Sequence, residues 1–183
     1  MKELSLHILD IVQNSIRAQS TCIQIVVSED LRNDRYVIEI EDNGTGVDEE
    51  TLRQLADPFY TTRSTRKVGL GLSLLKQNAE QTGGELAISS EKGKGTKLKA
   101  VFAHANIDRP IMGDIAGTMI LLIGSNPSIH FIYKHQTALS TFELDSKELK
   151  EELEGVPLTH PDIRKAVGEL INENLEMIEA HIN

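Results

Sequence analysis

The sequence predicts an α/β fold, and three observations predict it. Apolar residues recur at helical spacing over 4–19, with Leu4, Ile8 and Ile11 on one register and Leu9, Val12 and Ile16 on the next. Tyr36-Val37-Ile38-Glu39-Ile40-Glu41 alternates apolar and polar, as a half-buried strand does. A second helical pattern carries Leu72, Leu75 and Ala79 on its apolar side and stops at Gly83-Gly84, a glycine cap.

In chain order the pattern reads as a helix over 4–19, strands over 22–28 and 35–42, and a short helix near 49–56. Asp48 is placed to cap that short helix, and Glu49-Glu50 suits its first turn, where acidic groups complement the helix dipole. A lid over 57–68 leads into a helix over 69–82 and strands over 85–90 and 96–103, with a hairpin at 91–95 between them. Asp108-Arg109-Pro110 marks a boundary, so the expected domains are 1–107 and a small α+β extension over 108–183. In the extension, 112–123 reads as a helix with Gly113 and Gly117 as weak points. Residues 129–134 and 140–144 read as a strand hairpin, and 146–154 as a charged helix capped by Asp145 and closed by Gly155. Pro161 stands in the first turn of a last helix, whose apolar stripe is Ile163, Val167, Leu170, Leu175 and Ile178.

Composition narrows the function classes. The chain has 183 residues, 39% of them hydrophobic, which suits one core with an extension. The lone Cys22 excludes an internal disulfide and favours a reducing, cytoplasmic location. The run Met119–Ile123 is far too short to span a membrane, and no signal peptide precedes the first helix, so no membrane insertion is expected. Residues 1–103 carry 13 basic against 15 acidic groups, whereas 104–183 carry 6 against 13. That acidic extension argues against nucleic acid as a partner.

Three constellations carry chemistry. Asp42-Asn43-Gly44-Thr45-Gly46 follows directly on the alternating strand. The strand delivers a carboxylate into a turn with two glycines, which let the backbone approach a flat ligand, and the carboxylate can accept from an exocyclic amine such as that of adenine. On the first helix, His7, Asp10, Asn14 and Arg17 share one face. Asn can offer a carbonyl oxygen to Mg²⁺, Asp can orient a water, and Arg can neutralise phosphate. Finally, a stretch with Thr62, Arg63, Arg66 and Lys67 runs through Gly69-Leu70-Gly71-Leu72 into a helix. Amides at a helix start form an anion site, and the basic residues add positive charge.

Together, Asp10-Ile11-Val12-Gln13-Asn14, Asp42-Asn43-Gly44-Thr45-Gly46, Asp57-Pro58-Phe59-Tyr60-Thr61-Thr62 and Gly69-Leu70-Gly71-Leu72 resemble the four nucleotide boxes of the GHKL ATPase superfamily. That superfamily holds gyrase, MutL, a heat-shock chaperone and the histidine kinases. The likeness is greatest to the catalytic and ATP-binding domain of histidine kinases and covers residues 4 to about 103. It implies a Bergerat-type two-layer sandwich, a mixed sheet with helices on one face, and the cofactors ATP and Mg²⁺. Asp42 then holds the adenine amine, and Gly44 and Gly46 let the backbone meet the base. Asn14 ligates Mg²⁺, and Asp10 stands where the superfamily's ATPases have a general-base glutamate. Arg17, Thr62, Arg63, Arg66, Lys67, Gly69, Leu70, Gly71 and Leu72 belong to the nucleotide site, with Gly69, Gly71 and nearby amides over the phosphates. Thr96 matches the threonine that supports the adenine-binding aspartate from a late strand. Lys67 occupies a position where the family usually has glycine.

Competing motifs fail. Residues 91–96 are not a Walker A loop, residues 69–74 lack the third glycine of a dinucleotide fingerprint, and no Cys/His cluster has zinc spacing. In histidine kinases the acceptor histidine lies on a separate dimerisation domain. No such domain precedes residue 4, and none of the six histidines lies in a His-Glu-x-Arg-x-Pro setting. His7 reads as a phosphate contact or a spectator. The expectation is therefore a Mg-ATP-binding regulator that phosphorylates an unidentified partner protein in trans. The alternative is an ATP-dependent interaction switch, anti-sigma-like, with slow or no turnover. A homodimer is a further option. A MutL- or gyrase-like clamp is disfavoured, because 108–183 is too short for a transducer domain.

Overall fold

A computed structural model describes residues 3–48, 50–52 and 69–182, with the backbone alone at 69 and 70. Helix α1 (Leu4–Arg17) buries Leu4, Ile8, Ile11 and Val12, together with Ser5, His7 and Ser15. Its amino end has no side-chain cap. Instead, the N–H groups of Leu4 and Ser5 donate to the carbonyls of Ile111 and Met112 at 2.8 and 2.9 Å. The chain beyond residue 108 thus satisfies donors that a helix terminus leaves open.

Strands β1 (Cys22–Asp30) and β2 (Arg35–Asp42) form an antiparallel hairpin in which Ile23 faces Asp42 and Glu29 faces Tyr36. Then come α2 (Gly69–Gln81), β3 (Glu85–Glu91), β4 (Gly95–Ala103), α3 (Ile115–Ser125), β5 (His130–Gln136), β6 (Thr141–Asp145), α4 (Ser146–Glu152) and α5 (Pro161–Met177). One six-stranded sheet runs β3-β4-β2-β1-β5-β6. Its pairs are antiparallel except where β5 lies parallel to β1. This is the mixed α/β sheet of the expected two-layer class, and residues after 107 add two strands to it.

Alternation divides the layers. Ile23, Ile25, Val27 and Glu29 of β1 are buried, as are Phe131, Tyr133 and His135 beside them on β5. The intervening positions face outward. There Lys97 pairs with Glu39 and Glu41, and Lys99 with Glu39 at 2.7 Å. The Lys99 hydrogen bond keeps the Glu39 carboxyl below its ordinary range. One core runs from α1 through Ile25 and Ile38 to Phe131, Tyr133, Ile171 and Leu175. Each such side chain contributes about 1.5–3 kcal/mol on burial.

Two expectations in the extension need correction. Helix α3 begins at Ile115, not Met112. Gly113 has φ +72°, outside the helical region, and the Asp114 carboxylate accepts from Gly117 N–H at 2.7 Å, capping the helix there. On α5, Val167 and Leu175 are buried as the spacing implies, but Leu170 is 46% exposed and Ile171 fully buried. The stripe drifts by one residue because the face follows 3.6 residues per turn. Asp145 caps α4 by accepting from Lys147 N–H at 2.7 Å, and Pro161 stands at the start of α5, as expected.

Candidate nucleotide site

Strand β2 ends at Asp42, which is buried. Ser15 Oγ donates to Oδ2 at 2.6 Å, and Gly44 N–H donates to Oδ1 at 2.8 Å. Ser20 Oγ lies 3.1 Å from Oδ1 and 2.7 Å from the Ser15 carbonyl, so its single proton is shared. A carboxylate has about four acceptor positions. Among the described residues, Asp42 therefore keeps one on Oδ2 for an incoming donor. Thr96 stands directly across from Asp42 in the β2–β4 pairing, with Oγ1 2.9 Å from Ser90 Oγ.

The turn after Asp42 is locked from two sides. Thr45 N–H donates to the Ala18 carbonyl at the end of α1, and Gly93 N–H of the β3–β4 hairpin donates to the Thr45 carbonyl. Asn43 Oδ1 accepts from the N–H groups of Thr21 and Cys22, both at 2.9 Å. Gly46 has φ +58°, and a Cβ there would overlap the Glu91 carbonyl oxygen. Glycine is thus required by both conformation and space.

The predicted face of α1 meets α2, near its carboxyl end at His7 and near its start at Asp10. His7 is buried, with Nε2 3.0 Å from Asn78 Nδ2 on α2. One turn later Asp10 lies against Gly71, where a Cβ would overlap its Oδ2. Another turn on, Arg17 Nη1 donates to Asn14 Oδ1 at 3.0 Å. A carbonyl oxygen keeps a second lone pair beside such a bond, so Asn14 retains an acceptor suited to a hard cation.

The structure thus brings together Asp42, Gly44, Gly46 and Thr96, sets Asp10 against Gly71, and pairs Asn14 with Arg17. Gly69, Leu70 and Leu72 lie at the start of α2, with Leu72 packed partly on the core. Thr62, Arg63, Arg66 and Lys67, the lid over 57–68 and most of the helix expected near 49–56 lie outside the described residues. Residues 50–52 are helical, and Asp48 Oδ1 accepts from Thr51 N–H at 2.8 Å, which lowers the Asp48 carboxyl from its ordinary value. Sequence reasoning missed Ser15 and Ser20 as donors to Asp42. The available signal was Ser15 itself, a small polar residue beside Asn14 on the side of α1 that packs inward.

The donor set fits a nucleotide: among the described residues, an open carboxylate position for an amine and an amide oxygen for a cation. Comparison with known proteins agrees. The chain belongs to the histidine kinase-, DNA gyrase B- and HSP90-like ATPase family, whose model matches residues 2–106. It therefore contains a histidine-kinase-like ATPase domain, and that membership implies ATP binding.

Among relatives, a sensor protein of Shewanella frigidimarina is 36% identical over 109 residues, covering 58% of this chain and 17% of its own. The sensor kinase CckA of Brucella abortus is 45% identical over 67 residues, 36% of this chain and 7% of its own. Sporulation kinase E of Bacillus subtilis is 37% identical over 89 residues, 48% of this chain and 12% of its own. The chain thus spans less than a fifth of the length of each of these relatives. The solved N-terminal domain of a DNA repair protein superposes with a TM-score of 0.54 at 19% identity, covering 79% of this chain and 52% of that one, and shares the fold. Among the described residues, no helix is long and apolar enough to cross a membrane.

Proposed function

We propose that the chain is a Mg-ATP-dependent, histidine-kinase-like regulator that phosphorylates a partner protein in trans. The observation that carries this reading is the acceptor position on Asp42 that stays open among the described residues, beside a turn held by α1 and the β3–β4 hairpin. In this reading Asp42 accepts from the adenine amine, with Ser15 and Ser20 holding the carboxylate in place. Gly44 and Gly46 let the turn that would border the base pack closely on Ala18, Ser20 and Glu91, and Thr96 supports the wall opposite.

ATP supplies a transferable phosphoryl group, and Mg²⁺ offsets its charge. Phosphoryl transfer needs mainly positioning and charge neutralisation from a protein. Asn14 provides an oxygen for the cation, and Arg17 fixes the orientation of that amide while adding positive charge. Arg63, Arg66 and Lys67 add further positive charge from the lid, with Thr62 as a hydroxyl donor. The N–H groups around Gly69, Leu70, Gly71 and Leu72 face the phosphates. Asp10 accepts a proton from the attacking group. Its position against Gly71 supports that role, because that glycine lies in the first turn of α2, whose N–H groups are read here as the phosphate site.

The experiment is incubation of the purified chain with γ-labelled ATP, alone and with a lysate of its source. Transfer of label to one protein other than the chain is expected. Tight binding of ATP with no transfer would overturn the kinase reading in favour of the interaction switch.

A further inference from the structure

At the opposite end of β1 from Asp42 stands a second carboxylate, and its surroundings differ. The Glu29 side chain is 1% exposed and is ringed by three histidines. His135 Nε2 donates to Oε1 at 2.7 Å, and the His181 backbone N–H donates to the same oxygen at 2.8 Å. On the other oxygen, His104 Nε2 lies 3.0 Å and His181 Nδ1 2.7 Å from Oε2. A carboxylate only accepts, so both of those nitrogens carry protons toward it.

We propose that Glu29 Oε2, His104 Nε2 and His181 Nδ1 form a binding site for a divalent transition-metal ion such as Zn²⁺. The three ligand atoms lie within 4.8 Å of one another. Ligands bound to zinc at about 2.0–2.2 Å stand roughly 3–4 Å apart, so only small shifts are needed. Two imidazoles and one carboxylate suit a first-row divalent ion better than Mg²⁺ or Ca²⁺, which prefer oxygen. The ion takes the place of the proton each ring points at Oε2, and each ring then binds as the neutral tautomer with its proton on the other nitrogen.

The surrounding shell is already built. Metal-bound carboxylates are commonly held by outer hydrogen bonds. Here Oε1 is held by His135, whose Nδ1 is 2.9 Å from the Tyr133 hydroxyl, and by the His181 peptide. Oε2 is thereby aimed at the two remaining imidazoles. Tyr36 faces Glu29 across the hairpin, and its ring lies 5.7 Å from that of His104. Its hydroxyl is buried and has no hydrogen-bond partner among the described residues. A solvent molecule on the ion would give that orphaned donor a partner. The His181 side chain is 48% exposed, so the cluster opens to water on one side.

The ligands come from β1, from just after β4 and from the tail after α5. An ion here ties the tail of the chain to the strand that leads from the nucleotide site. The test is calorimetric titration of Zn²⁺ into the nucleotide-free full chain, with bound metal counted by mass spectrometry after dialysis. One Zn²⁺ per chain is expected. His181→Ala, which removes a half-exposed side chain, should weaken binding by at least about 10-fold, the loss known for changes one shell further out. His104→Gln should do the same, while Asp10→Asn should leave Zn²⁺ binding unchanged. Absence of stoichiometric binding, or equal affinity in the folded His181→Ala and parent chains, would overturn the assignment.

Discussion

Two buried carboxylates lie on the same hairpin, Asp42 at one end and Glu29 at the other, separated by roughly 20 Å of strand. Asp42 receives an amide, one hydroxyl and a share of a second hydroxyl, and keeps a position that no described residue fills. Glu29 receives three imidazoles and a peptide N–H and is saturated. The difference lies in the donors. Hydroxyls rotate, give one proton and make room for a ligand. Imidazoles locked by their neighbours present fixed nitrogens that either hold the carboxylate or share it with a metal. One end of the sheet thus leaves an acceptor for a neutral donor, and at the other every acceptor position already has an N–H partner.

Charge follows the same division. Burial by itself would raise the Glu29 carboxyl, but hydrogen bonds from His135, His104 and the His181 peptide outweigh it and bring the carboxyl down to about 2. Burial first, and then the nearby Glu29 charge, push the Tyr36 hydroxyl well above the usual phenol range. Tyr36 therefore stays a protonated donor at any physiological pH.

The largest effect is expected at Glu29. Glu29→Ala leaves two buried imidazole donors, His104 and His135, without their acceptor and should cost about 3–5 kcal/mol of stability, read by urea unfolding. A loss under 1 kcal/mol would mean that the cluster is not a structural anchor. At the open end, Asp42→Ala should weaken ATP binding by about 1–3 kcal/mol in calorimetry, with a smaller change in unfolding than Glu29→Ala gives. Gly71→Ala sharpens the link between α1 and α2. Its Cβ overlaps Asp10 Oδ2, so one of the two must shift, with an expected loss of about 1–3 kcal/mol. Stability equal to the parent would show that Asp10 moves freely.

The smallest effect concerns pH. At Asp145, burial favours the neutral acid, but the His130 and Lys147 N–H groups prevail and lower its pKa. The folded value lies below the unfolded one, so this contribution is present above the unfolded carboxyl pKa and is lost as pH falls through the folded one. Acid unfolding of Asp145→Asn should accordingly be less steep than that of the parent over that window.

Much of the open end was legible in the sequence. The alternation over Tyr36–Glu41 announced β2, and the two glycines after Asp42 announced a turn with close neighbours. The spacing of Asp10, Asn14 and Arg17 placed them on one helix face, and Arg17 does reach Asn14. Ser15 and Ser20 were not legible as partners of Asp42, because a serine on a helix flank has many uses and the contact spans 27 residues for Ser15 and 22 for Ser20. The closed end was harder still. Its histidines lie 75, 106 and 152 residues from Glu29, so no short spacing could reveal them. Only the sheet order, which brings β5 beside β1 and sets the tail over their ends, makes that cluster. Leu170 and Ile171 stand three and four residues on from Val167, both allowed by helical spacing, and only packing decides that Ile171 is the buried one.

The most direct test of the central claim is a crystal structure of the full chain with Mg²⁺ and a non-hydrolysable ATP analogue. The account predicts the adenine amine within hydrogen-bond distance of Asp42, with Ser15 still on that carboxylate and Asn14 on the cation. A nucleotide bound elsewhere, or a cleft beside Asp42 closed by the chain's own side chains, would contradict it.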